Sequence, residues 1–472
     1  MTAGYRRELG PFSATMIIAG SMIGSGIFIV SADIVRLGHS GAFLMAAWAF
    51  AALLTLLGAL SYGELAGMLP EAGGPYIYLR EAYGPSAGFL YGWTAFTVVE
   101  CGGIAAVAAG FGKYLGSFLP FVSDQRWLLG PLHLKPFLVG PVMVGPYEFG
   151  LTSARLCAIV VVLLLSAANV LGVRMGARIQ NLFTVAKVGA LLALVALGLV
   201  LSPASAPSGS YVPAAGGPAL PLFAALMVAQ VGAMFSADGW YYVTYLAAEV
   251  KEPRRTLPMA LVFGVGSILV LYLLANLVYL KVLGPAAIAT APDDRVGSLA
   301  LRALLGPSGE KVMAAAVLVS MFGFVNGTVM TAARLYQAMA EHGLFLRRAA
   351  ALNGRGVPAF SLGVQALWSC LLTLSGSFDQ LLDFVLFATL LFYALAVAGV
   401  MVLRRKRPEL PRPYRVPLYP LVPLAYLGGV LCILGTLLVY RPAYTWPGLL
   451  IILLGIPVYL VHRRRQGRGL RS

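Results

Sequence analysis

Runs of about 20 apolar residues, each long enough to cross a hydrocarbon core ~30 Å thick, recur from end to end of this 472-residue chain. Nothing else in the sequence limits the fold as strongly. Inside a bilayer every backbone N–H and C=O must find a partner within the protein, which leaves helices and closed barrels. Runs this long are helices, since membrane strands need only about 10 residues. The chain is 59% hydrophobic and 11% charged, against roughly 25% charged for a soluble domain. An all-α polytopic membrane protein of about 12 transmembrane helices is therefore expected. The spans fall at 11–37, 41–69, 85–119, 151–171, 176–201, 218–249, 257–283, 308–341, 358–377, 379–403, 417–440 and 445–462.

The formal net charge is +16, but its distribution argues against nucleic acid as a partner. With this placement both chain ends lie on one side. That side collects Arg6, Arg7, Arg80, Arg174, Arg178, Lys251, Arg254, Arg255, Arg347, Arg348, Arg355, the run Arg404 to Arg407, Arg412, Arg415 and the tail from Arg463. The other side has far fewer, among them Arg36, Arg126, Lys135, Arg295, Lys311 and Arg441. Basic loops stay in the cytoplasm, so both termini are expected there, with the chain in the cell membrane. The basic tail reads as a topology signal and a contact for lipid headgroups. Residues 1–10 form a short, polar stretch that carries Arg6 and Arg7, and the segment after them has no small-residue cleavage site, so no cleaved leader is expected.

Cys101, Cys157, Cys370 and Cys432 all fall in predicted spans and form no metal-type spacing. His39, His133, His342 and His462 are scattered over loops and ends. No nucleophile–base pair, phosphate loop or carboxylate dyad is visible. Neither enzyme chemistry, nor a metal, nor a cofactor is expected.

Two spans are interrupted at mid-depth. Span one is broken by Gly24-Ser25-Gly26 and span six by Ser236-Ala237-Asp238-Gly239-Trp240. Irregular backbone at that depth must line a cavity, and paired breaks in corresponding positions are typical of secondary transporters with a midplane site. Spans one to five (1–201) and six to ten (202–403) then form two repeats. An odd number of spans inverts the second repeat against the first. Spans eleven and twelve, with the basic tail (404–472), lie outside them.

In span one, freed N–H groups at Gly24, Ser25 and Gly26 open the outer half-helix and suit an anion such as a carboxylate. Freed carbonyls at Met22 and Ile23 close the inner half-helix and suit an ammonium. The other reading of these small residues is a helix-packing face. In span six, carbonyls of Phe235 and Ser236 complete an ammonium site, and Trp240 closes over a ligand. Asp238 is either functional, as ionisable groups at this depth usually are, or the cap of a half-helix starting at Gly239. Lys187 in span five either snorkels to the interface or holds the unwound backbone of span one. Glu100, at mid-depth in span three, has three readings: partner of a cationic substrate side chain, proton site, or neutral structural glutamate.

With these residues the chain resembles the amino acid–polyamine–organocation (APC) superfamily, and within it the L-amino-acid transporter (LAT) type. The resemblance is strongest at Ile23–Phe28, Tyr62–Gly84, Phe235–Trp240 and Ala248–Pro258. It implies the five-plus-five inverted repeat of LeuT-type transporters, with helices one and six broken. It implies that Ser25 and Gly26 meet a substrate carboxylate, and that carbonyls near Met22, Phe235 and Ser236 meet the α-amino group. Lys187 matches the lysine that replaces a sodium site in sodium-independent members. Trp240, Tyr241, Gly239, Phe235 and Glu100 are expected around the substrate side chain. Three features depart from the family. Glu100 falls where many relatives have an uncharged residue and some an arginine that suits acidic substrates, so a glutamate there suggests the opposite charge preference. Residues 120–150 contain no cysteine, so no disulfide-linked heavy chain is expected. Tyr241 stands where an asparagine is common. The implied function is sodium-independent transport of L-amino acids, neutral and cationic, by alternating access. Exchange is the first expectation; proton-coupled uptake and polyamine transport are the alternatives.

Overall fold

The computed structural model describes residues 4–139, 142–144, 147–202, 220–375 and 378–469. Among these, nine helices are long and apolar enough to cross a membrane. Three shorter apolar helices, Pro11–Met22, Leu222–Ser236 and Ala359–Leu374, supply the remaining crossings. Span one is Pro11–Met22 followed by Ser31–Gly38, span two Gly41–Met68, span three Pro85–Leu115 and span four Ser153–Val170. Span five is Val173–Leu201, span six Leu222–Ser236 followed by Tyr242–Glu249, span seven Pro253–Ala289 and span eight Pro307–Glu341. Spans nine to twelve are Ala359–Leu374, Phe378–Lys406, Leu421–Tyr440 and Pro442–Gly469. The fold is the expected all-α polytopic membrane fold of LeuT type.

Local chemistry sets the span ends. Pro11, Pro85, Pro253 and Pro307 open their helices, where the missing N–H of proline costs nothing. Ser40 and Thr152 cap spans two and four, accepting from the N–H of Phe43 and Arg155 at 3.1 Å each. Span seven leaves helical geometry at Gly284 (φ 71°), next to its expected end at 283, and Pro285 opens a separate short turn of helix that runs to Ala289.

The protein is layered around spans three, eight and ten. The apolar windows of spans three and ten are 72% buried, against 33% for span five and 22% for span twelve. The outer spans present Leu182, Leu192, Val200, Leu431, Val439, Leu453 and Leu454 outward, the surface a lipid solvent accepts.

Three features depart from the sequence reading. The connection between spans three and four holds strands, with Trp127–Leu134 pairing antiparallel to Tyr147–Thr152 and Phe137–Val139 to Val142–Val144. Two further helices, Pro75–Tyr83 and Val296–Leu305, lie in loops. The second half of span six is a 3-10 turn, Tyr242–Glu249, with Tyr241 at its start and no side-chain cap. Asp238 therefore caps no half-helix from Gly239.

At the face that carries the N-terminus the molecule is closed. The N–H groups of Glu8 and Leu9 both donate to the Glu249 carbonyl, at 2.9 and 3.0 Å. Arg334 Nε donates to Glu249 Oε1 at 2.7 Å, and both side chains are buried. Glu64, also buried, takes Arg404 in a two-pronged contact at 2.7 and 2.6 Å and the N–H of Val416 at 2.8 Å. These bonds tie the N-terminal arm to spans six and eight, and span two to span ten, at one end.

Candidate functional site

The two breaks meet. A Cβ on Gly26 would stand 2.9 Å from Ser236 Cα, and one on Gly239 would stand 2.9 Å from the Ser21 carbonyl oxygen. Gly239 has φ +83°, a conformation that glycine adopts without strain. The chain crosses itself here backbone on backbone, and only residues without a side chain fit both crossing points.

Span one unwinds after Met22. Gly24 N–H turns back to the Met22 carbonyl at 2.8 Å, so it is not among the free donors. Helical bonding resumes with Phe28 N–H on the Ser25 carbonyl and Ile29 N–H on the Gly26 carbonyl, both 3.0 Å. Among the described residues the N–H groups of Ser25, Gly26 and Ile27 find no acceptor. The donor set is thus shifted one residue from that read in the sequence, because a tight turn consumes the first N–H. Successive free N–H groups at the start of a helix are an anion site.

The carbonyls behave differently. Lys187 Nζ donates to Gly20 O at 2.5 Å and to Ile23 O at 2.9 Å, bracing the end of the inner half-helix. Ser320 Oγ donates to Ile23 O at 2.8 Å and reaches Gly24 O at 3.2 Å. The Ile23 carbonyl, expected to face an ammonium, is already filled by these two side chains. Tyr272 Oη lies 2.8 Å from Met22 O and 3.1 Å from Ser236 O. A hydroxyl has one proton, so it serves one of these carbonyls at a time.

Beyond the span-six break lies an aromatic cluster. Trp240 packs edge-on to Tyr62 (centroids 4.7 Å apart) and to Tyr393 (5.6 Å). Tyr241 touches Tyr393 and Tyr242, each with centroids 5.0 Å away. Asp238 accepts from the Tyr393 hydroxyl. Glu100 Oε1 accepts from Tyr241 at 3.0 Å and from Tyr245 at 2.8 Å, and the Tyr245 hydroxyl also bonds Tyr91. Toward the face opposite the termini, a cavity of about 520 Å³ is lined by Ile29, Val30, Asp33, Arg36, Phe235 and Leu386, among others. Phe235 connects it to the break. Arg36 ties the outer half of span one to Asp294 at 2.7 Å and to the Ala289 carbonyl at 3.0 Å.

A family model described as amino acid permease matches residues 9–458. The chain belongs to this family. The permease is 31% identical over 470 residues to the mouse large neutral amino acids transporter small subunit 2, covering 97% of this chain and 81% of that one. It is 30% identical to the mouse b(0,+)-type amino acid transporter 1, covering 98% and 88%. With the serine/threonine exchanger SteT of Bacillus subtilis (strain 168) it shares 27% identity over 98% of both chains.

The permease brings Met22, Ile23, Gly24, Ser25, Gly26, Ser236 and Gly239 into one crossing. Phe235 stands on its outer side, and Asp238, Trp240, Tyr241 and Glu100 on its aromatic side. Lys187 stands behind the crossing, on the backbone and not on the cavity. Tyr272 and Ser320 escaped the sequence reading. Each is a polar residue within a strongly apolar run, which was the signal available for finding them.

Proposed function

We propose that this permease is a sodium-independent secondary active transporter of L-amino acids and that it works by exchange. The observation that carries the reading is the set of free N–H groups at Ser25, Gly26 and Ile27 beside the Ser236 carbonyl. A carboxylate on these donors puts the neighbouring α-ammonium against the carbonyls of Phe235 and Ser236. Tyr272 can then turn its proton to Met22 and leave Ser236 to the substrate. A polyamine, lacking a carboxylate, would leave the three donors empty. Lys187 fills the place of a sodium ion: an ammonium on Gly20 O and Ile23 O supplies a fixed cation where a coordinated one would sit.

Residues 1–201 and 202–403 serve as inverted repeats, with 404–472 outside them. Both termini lie in the cytoplasm of a cell whose plasma membrane holds the protein. Access alternates as spans one, two, six and seven rock against three, four, eight and nine. The closed N-terminal face and the cavity on the far face support an outward-facing arrangement here. No disulfide-linked heavy chain is needed. A second reading, proton-coupled uptake, draws its support from Glu100, a buried carboxyl group with no cationic partner.

The test is uptake of labelled leucine, alanine, arginine and glutamate into proteoliposomes, preloaded or empty, with and without a pH gradient. Uptake that requires preloaded amino acid is expected. Uptake into empty vesicles driven by the proton gradient would replace exchange with symport.

A further inference from the structure

At the face that carries the N-terminus, a separate cavity of about 530 Å³ is lined by Arg7, Pro70, Glu252, Pro253, Arg254 and Arg255. Three guanidinium groups border it against one carboxylate, and all three arginines are exposed. Among the described residues none of the three makes an ion pair or a side-chain hydrogen bond. Glu8, next to Arg7, is taken by Arg174 at 3.3 Å. Elsewhere on this face Arg334 and Arg404 have glutamates at 2.7 and 2.6 Å. Like charges gathered around one cavity repel, and an anion seated among them removes that cost.

The backbone under two of these arginines is fixed. Glu252 takes the left-handed conformation (φ 47°, ψ 54°), which turns the chain sharply from span six into span seven. Its carbonyl accepts the N–H groups of Arg255 and Thr256 at 3.0 and 2.9 Å. Pro253 is buried beneath the turn.

Below the arginines the surface is apolar and faces outward. Arg255, Met259 and Phe263 stand four residues apart on one face of span seven, and Met259 and Phe263 are 47% and 68% exposed. Span one packs alongside: a Cβ on Gly264 would stand 3.4 Å from Ile18 and 3.5 Å from Thr15. Its first turn presents Phe12, also exposed. Positive charge above a lipid-facing apolar strip is the pattern that fits a phospholipid, with its phosphate on the guanidiniums and its acyl chains along Met259 and Phe263. A soluble anion has no use for the strip.

Arg7 belongs to the arm that lies across the closed face. Tyr5 donates to Gln337 of span eight at 3.0 Å, and Arg6 to the Gly354 carbonyl at 3.3 Å. Glu8 and Leu9 N–H groups bond the Glu249 carbonyl, and Lys251 N–H bonds the Leu9 carbonyl at 2.8 Å.

We propose that the cavity among Arg7, Arg254 and Arg255 binds the headgroup of an anionic phospholipid, which fastens the N-terminal arm to the start of span seven and so braces the closed face.

The test is hydrogen exchange of the full chain in nanodiscs of phosphatidylcholine, with and without phosphatidylglycerol. In the wild type, phosphatidylglycerol should slow exchange at Glu8, Leu9 and Lys251 by at least ~10-fold, since each arginine near an anionic surface strengthens binding roughly fivefold. The joint variant Arg7→Gln, Arg254→Gln, Arg255→Gln should lose this effect. Replacing Arg463, Arg464 and Arg465 of the basic tail by glutamine should leave it. Equal exchange in the two membranes in the wild type would overturn the proposal, whether or not any variant folds. So would an effect that survives in the joint variant or disappears in the tail variant. If inorganic phosphate protects the arm equally in phosphatidylcholine alone, the cavity takes a soluble anion and the lipid is overturned. The inference needs the membrane placement alone, so a failure of amino-acid exchange in proteoliposomes would sink the transport reading and leave this one standing.

Discussion

The two broken helices solve different problems with the same interruption. In span one the peptide groups themselves are the reagents. Its carbonyls at Gly20, Ile23 and Gly24 are held by Lys187 and Ser320, while its N–H groups at Ser25, Gly26 and Ile27 are left open. In span six the side chains dominate: Asp238 on Tyr393, Trp240 against Tyr62, and Tyr241 on Glu100. Every amino acid carries the same carboxylate and ammonium, so backbone suffices to read them. Side chains differ, and reading them takes side chains. On the proposed transport reading, common recognition falls to span one and discrimination to span six.

The most damaging change should be Gly26→Val. It places a branched side chain where even a Cβ lies 2.9 Å from Ser236 Cα. Binding of every substrate should drop by more than ~100-fold, since overpacking at a backbone contact costs roughly 1–3 kcal/mol or more and the donor geometry is lost as well. Substrate-induced thermal stabilisation reads this directly, and wild-type affinity would remove span one from the site. Next comes Lys187→Ala, which leaves the Gly20 carbonyl without its donor and the Ile23 carbonyl with Ser320 alone, at a cost of about 1–3 kcal/mol for the group left unsatisfied. Exchange should fall at least ~10-fold, uniformly across side chains, while the unfolding temperature drops only a few degrees. A loss confined to some side chains would erase the division between the two breaks. Tyr272→Phe should be mildest. It deletes one hydroxyl between Met22 and Ser236, a hydrogen bond worth about 0.5–1.5 kcal/mol. Affinity in equilibrium binding should weaken by a few-fold for all substrates, and an unchanged affinity would take Tyr272 out of ammonium recognition.

Much of this architecture is legible along the chain because it rests on local signals. Apolar runs mark the crossings, and Gly24, Gly26 and Gly239 mark where a helix cannot continue. Lys187 and Glu100 stand out because charge is rare at that depth. Details of turns are not legible in this way. Whether Gly24 N–H is free depends on a single reversal onto Met22, which no composition encodes. Tyr272 and Ser320 act on carbonyls about 250 and 297 positions away in sequence, and a hydroxyl inside an apolar helix does not announce its partner. The 3-10 form of Tyr242–Glu249 did have a signal. The run Tyr241-Tyr242-Val243-Thr244-Tyr245 is aromatic and β-branched throughout, and such residues support an α-helix poorly.

The contact of Gly26 with Ser236 and of Gly239 with Ser21 has a mechanical consequence. Two levers that cross at a point can tilt against each other, but the point itself stays where it is. A molecule lodged there is never carried anywhere; the barrier is lifted from one side of it and set down on the other. Such a machine has one berth, and it moves one passenger per stroke.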